Sequence, residues 1–209
     1  FPAGGDNAIG RLARVLTASG LLTGTAKSAI AALADLTADA NGVTEGVAFA
    51  DEPSGELTLV YGVAHLKDGL LTLSVDCRYP VTMDGSRLEA DLRAAWGHMG
   101  FAVKEFDLSE PFYIPVDDPI VQTLQAVFKA ATGRDDEPYT MGGGTYSRVV
   151  PNAVSFGPGM PGAFPDLSDL LPQGHGHAHG RDEALPVDKM VNLCRIYVGA
   201  LAALDDTID

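Results

Sequence analysis

The sequence predicts a mixed α+β and α/β chain. Its first half reads as a small sandwich, an antiparallel sheet with helices on one face, and its second half as an α/β segment. Three observations carry this. Apolar residues recur at helical spacing near the start, two alternating runs flank Lys67-Asp68-Gly69, and strand-like and helical runs alternate beyond Ser109-Glu110-Pro111.

Asn7 follows a glycine-rich turn and precedes Ile9, Leu12, Ala13, Val15 and Leu16, one apolar face of a helix with a ready N-cap. A second, alanine-rich helix is expected from Lys27 to Leu36, with Asn41 and Gly42 ending it. Glu56 to His65 and Leu70 to Tyr79 read as strands, because Leu57, Leu59 and Tyr61 alternate with other residues, and Lys67-Asp68-Gly69 is a hairpin signal. Asp84 is suited to cap a helix reaching about His98, with Leu88, Leu92 and Trp96 on one stripe. Phe101 to Leu108 alternates as a further strand. Pro111, Pro115 and Pro119 then punctuate an extended stretch, so a domain boundary is expected near residue 109. Ile120 to Thr132 is an amphipathic helix closed by Gly133. Tyr139 onward reads as a short buried strand entering a glycine turn, and Val154-Ser-Phe-Gly as another strand-like run. Residues 157–176 form a long Gly- and Pro-rich loop, and a last helix covers about Val187 to Leu204.

With 209 residues, 46% hydrophobic and 20% charged, the chain has enough apolar material for a sizeable core. The 28 acidic against 14 basic residues give a net charge of −14. Such a surface repels phosphate backbones and anionic lipid, so neither nucleic acid nor membrane is an expected partner. No apolar run approaches the ~20 residues of a membrane span. Cys77 and Cys194 lie in apolar runs without paired spacing, which suggests reduced, buried thiols in a cytoplasmic protein. Phe1 and its neighbours lack the features of a signal peptide, and no initiator Met is present, so the chain reads as beginning in mid-protein.

Four places can carry chemistry. Gly174-His175-Gly176-His177-Ala178-His179 gathers three of the five histidines, and neutral imidazole is a common zinc ligand. A solvated His-Gly stretch has the same composition. Asp182 and Glu183 follow His179 at +3 and +4; on one helical turn they would flank the imidazole, although acids also favour helix N-termini. Gly142-Gly143-Gly144-Thr145 can bring backbone N–H groups against an anion such as a carboxylate, or simply turn the chain. Arg78, at a strand end, can clamp a carboxylate in two-pronged fashion or make a surface ion pair.

The ordered runs Asp117-Asp118-Pro119-Ile-Val-Gln-Thr-Leu, Met141-Gly-Gly-Gly-Thr-Tyr-Ser-Arg148, Val154-Ser-Phe-Gly and His179-Gly-Arg-Asp-Glu183 resemble the dinuclear-zinc dipeptidases of the acetylornithine deacetylase, succinyl-diaminopimelate desuccinylase and carnosinase superfamily. The bacterial Xaa-His dipeptidase branch is the nearest. The resemblance spans nearly the whole chain and is weak only at 160–178. It implies hydrolysis of dipeptides by two zinc ions, with His179 as the family's last zinc ligand. It also implies that Arg78 is an arginine reaching the substrate from a lid domain, and that Gly142, Gly143, Gly144 and Thr145 line the pocket for the substrate's C-terminal carboxylate. His175 and His177 match nothing in the family and read as loop residues.

On this resemblance, residues 1–109 correspond to the second half of the lid and 110–209 to the last segment of the catalytic domain. The remaining metal ligands and the general-base Glu belong to an N-terminal portion of the same protein, so no catalytic base is expected here and the chain alone should be inactive. A contrasting reading from the residues alone is a metal-handling protein that uses His175, His177 and His179 together, without hydrolase activity.

Overall fold

A computed structural model describes residues 5–144, 146–151, 153–157, 167, 169–173, 175–176, 181–184, 186–205 and 207. The chain divides into two compact units. One comprises Phe1–Tyr113 with Thr140–Gly143, the other Ile114–Tyr139 with Gly144–Asp209. The mixed α+β class expected from the sequence is what the chain adopts, with small antiparallel sheets and five α-helices among the described residues.

In the first unit, α1 (Ala8–Ala18) starts where its cap dictates: Asn7 Oδ1 accepts from the amides of Ile9 and Gly10. The same side chain donates from Nδ2 to the Tyr61 carbonyl at 3.0 Å, fastening the helix start to the sheet. Helix α2 (Gly24–Leu36) begins nearly a turn before the expected Lys27. A Cβ on Gly10 would stand 2.6 Å from Thr37 Oγ1, so only glycine lets α1 pass this close to the end of α2. The predicted apolar face of α1 is only partly used: Ala13 is buried, whereas Leu12 and Val15 are exposed.

Strands β1 (Ala50–Asp51) and β2 (Gly55–Glu56) make a minimal hairpin, and β3 (Thr58–Lys67) and β4 (Leu70–Arg78) a longer one. Asp68 and Gly69 turn the longer hairpin with φ 52° and 77°; positive φ at both positions suits the right-handed twist of the flanking strands. The register slips once between Tyr61 and Val63, leaving Gly62 without an opposite residue. Leu57, Leu59 and Tyr61 point into the core, as their alternation predicts. There Leu88 and Leu92 of α3 (Gly85–His98) cover Leu57 and Leu59, with Val47, Val75, Cys77, Met83 and Phe106 around them. Asp84 caps α3 by accepting from the Arg87 amide at 3.0 Å.

Phe101 to Leu108 is not a strand. Phe106 packs on the core, but the run pairs with no strand among the described residues, and alternation without a partner makes no ladder.

In the second unit, α4 (Pro119–Thr132) carries Asp118 as cap, Pro119 in its first turn and left-handed Gly133 (φ 71°) at its end, three local signals that agree. It packs on α5 (Val187–Asp205), burying Leu124 and Phe128 of one helix and Ile196 and Ala200 of the other. The runs at Tyr139 and Val154 are also not strands, for want of a partner among the described residues. Tyr139 is 74% exposed rather than buried. Among the described residues no helix is long and apolar enough to cross a membrane. Both cysteines are free thiols, but Cys194 is exposed and Cys77 only half-buried, contrary to the expectation that both are buried.

Candidate functional site

Period-two geometry puts Arg78 and Asp76 on the same outward face of β4, and they pair there, Nε to Oδ1 at 3.0 Å. Both side chains are more than half exposed, at 51% and 62%, so the pair contributes little to stability.

The glycine segment lies against this arginine. A Cβ on Gly142 would stand 2.9 Å from Arg78 Cδ and 3.6 Å from its Nη1, so the guanidinium stem rests directly on bare backbone. Arg78 and Gly142, 64 positions apart, are thus brought together inside the first unit. Gly143 is more open, with Met141 Cε 3.5 Å from its Cβ position. Gly144 belongs to the second unit, where Arg148 packs over it, Cδ 3.0 Å from the Cβ position. Arg148 ends a single 3₁₀ turn, Tyr146–Arg148. Within that turn the buried Ser147 hydroxyl meets the Ser155 hydroxyl at 2.8 Å. Thr145 lies outside the described residues.

His177 and His179 also lie outside the described residues. The loop on either side of them is described. His175 Nδ1 stands 2.7 Å from Asp182 Oδ2, and because a carboxylate only accepts, the ring donates from Nδ1. Asp182 has φ 55°, residues 181–184 are not helical, and Asp182 faces His175. Sequence spacing did not reveal this contact, because a partner seven positions away is set by how the loop folds back.

Among the described residues no three His, Cys, Asp or Glu side chains converge on one point. Catalytic zinc generally takes three protein ligands and a water, so the described donors do not by themselves make a zinc site.

The electrostatics elsewhere in the first unit are structural. Desolvation opposes ionisation of Asp51, but donors from the Ser54 hydroxyl, the Thr82 and Ser54 amides and the Thr82 hydroxyl outweigh it and bring the carboxyl down to about 2. Burial, with the Asp76 and Glu45 charges, pushes the Cys77 thiol up to about 11, which leaves it a poor nucleophile.

Comparison with known proteins places these features in a family. A protein of Bacillus subtilis (strain 168) bearing the name "Putative dipeptidase YtjP" is 34% identical over 155 residues, 74% of this chain and 30% of its own length. A similarly named protein of Staphylococcus epidermidis (strain ATCC 12228 / FDA PCI 1200) is 30% identical over 163 residues, 76% of this chain and 32% of its own length. The chain therefore spans about a third of the length of the curated relatives it matches. The sequence profile of peptidase family M20/M25/M40 matches residues 20–203, nearly the whole chain. The chain belongs to peptidase family M20/M25/M40.

Proposed function

We propose that this chain is the closing part of a cytoplasmic zinc dipeptidase, holding the substrate's C-terminal carboxylate and giving one ligand to a two-zinc centre. The observation that carries it is the seating of Arg78 on Gly142, which joins two elements that the family resemblance separately assigns to substrate binding. Arg78 leaves Asp76 for the substrate carboxylate, exchanging an exposed ion pair for a two-pronged one. Gly142 and Gly143 present backbone N–H groups to the same anion, and the family resemblance also assigns Gly144 and Thr145 to carboxylate binding. His179 is the zinc ligand. When bound, zinc acidifies the attacking water and polarises the peptide carbonyl. Residues 1–109 form the second half of the lid and 110–209 the final segment of the catalytic domain. The other ligands and the general base belong to the portion of the longer protein that this chain does not include.

The test is steady-state hydrolysis of dipeptides by the full-length protein. His179→Ala is expected to remove activity together with bound zinc, and Arg78→Ala to raise KM about tenfold or more, as loss of a charged clamp does. Full activity of His179→Ala would overturn the reading. Equal losses at His175, His177 and His179 would instead indicate a shared histidine site.

A further inference from the structure

We propose that β4 and the stretch 101–108 are the two walls of a slot for one β-strand, supplied by the part of the longer protein that this chain does not include. The stretch has the exposure pattern of a strand. Phe101, Val103, Phe106 and Leu108 are half-buried, while Ala102, Lys104, Glu105 and Asp107 between them are exposed. Phe106 packs on the same core as Val75 and Cys77 of β4. Even so, among the described residues the stretch pairs with no strand, and no backbone hydrogen bond ties it to β4. On its other side β4 pairs with β3, so one edge of its nine residues has no ladder among the described residues. The charges of β4, Asp76 and Arg78, sit at one end and leave Leu70 to Val75 without the charge that commonly shields an open edge.

The two walls run parallel and finish at the same end. Tyr79, just past β4, donates from its hydroxyl to the carbonyl of Ser109, just past the stretch, at 3.0 Å. Both ends meet the start of α3, where a Cβ on Gly85 would stand 2.7 Å from Tyr79 Oη and 3.2 Å from Leu108 Cδ1. Further along α3, Arg93 lies over the Phe106 ring, 5.3 Å from its centre. Strand, helix and extended stretch therefore make a parallel crossover. Paired strands lie ~4.8 Å apart, whereas a tyrosine side chain with its hydrogen bond can span about two such spacings, the room one inserted strand takes. A third strand between two that a helix connects is a recurrent arrangement. Burial agrees with it. Inward Leu59 and Tyr61 of β3 are 1% and 2% exposed, but Leu71, Leu73, Val75 and Cys77 of β4 are only half-buried. The occupant is a strand of about 5–6 residues with apolar side chains alternating toward α3. It runs antiparallel to both walls, as in a sheet with helices on one face. The matched part is 30% and 32% of the two relatives' own lengths, so in such proteins most of the polypeptide lies elsewhere and can provide it.

Neither metal nor substrate enters this reading, so its test is independent of activity. In the full-length protein, hydrogen exchange would be followed by mass spectrometry on peptides covering 70–78 and 101–108. If β4 is an edge, every second amide along it faces away from β3 and exchanges within seconds, as do the amides of 101–108. With the strand in place, nearly all β4 amides and about half of those in 101–108 are expected to slow by about 100-fold or more. Rapid exchange of half the β4 amides together with 101–108 would overturn the proposal. The source of the strand is read by photo-cross-linking from the exposed Ser74 of β4, using Ser74→benzoylphenylalanine in the same full-length protein. A cross-link to a peptide outside residues 1–209, at the mass of a single chain, is the expected result. Capture of a peptide from within 1–209, or a doubled mass showing that a second copy provides the strand, would overturn it.

Discussion

Tyr61 links the buried Glu45 carboxylate to the half-buried Trp96 indole through one hydroxyl. Its hydroxyl donates to Glu45 Oε1 at 2.5 Å and accepts from Trp96 Nε1 at 2.7 Å. Burial and the Glu45 carboxylate push the hydroxyl well above its usual range, so it remains a donor. Desolvation raises Glu45 in turn, against the Tyr61 bond that lowers it. Tyr61→Phe keeps the ring but takes a hydrogen-bond partner from both the carboxylate and the indole N–H; an expected loss of about 1–3 kcal/mol would be read from the urea midpoint. An unmoved midpoint would show that water replaces the hydroxyl. The sequence marked Tyr61 as an inward residue through its alternation with Leu57 and Leu59. It could not mark Glu45 as its partner, because an acid 16 positions away is indistinguishable from a surface charge until the loop folds over it.

Asp51 ties two elements together. From the β1–β2 hairpin it accepts hydrogen bonds from the amide and hydroxyl of Ser54, and from the same groups of Thr82 in the loop before α3. Its carboxyl, held at about 2 rather than 3.8, binds a proton less well in the folded chain than in the unfolded one. The ionised form therefore steadies the fold above about pH 4, and that contribution drains away as pH falls toward 2. Thermal melts across this range should fall more steeply for wild type than for Asp51→Asn; parallel curves would dissociate Asp51 from acid unfolding. Local signals were legible in the same elements. The Asp68-Gly69 turn, the Asn7 and Asp84 caps and the Gly133 helix end stand where the sequence put them, each decided by three or four adjacent residues. The strand readings at 101–108, 139–141 and 154–157 failed because a strand is defined by its neighbour.

Across the whole chain, the two thiols report how the units are built. Cys194 is an exposed residue on α5, while Cys77 is half-buried in the first unit with its thiol raised to about 11. Ellman's reagent at pH 8 should modify Cys194 quickly and Cys77 only on unfolding; fast reaction of both would contradict the packing around Cys77. The family was readable without coordinates, since ordered runs such as Met141-Gly-Gly-Gly-Thr and His179-Gly-Arg-Asp-Glu are properties of the chain itself, and the profile match over 20–203 agrees with them. Composition and period likewise settled the mixed α+β class, because caps, turns and alternation act within a few residues. Folding alone set Arg78 against Gly142 and His175 against Asp182. Those contacts join residues whose separation along the chain carries no signal, and only the path of the backbone between them brings a guanidinium onto bare glycine or a ring nitrogen within reach of a carboxylate.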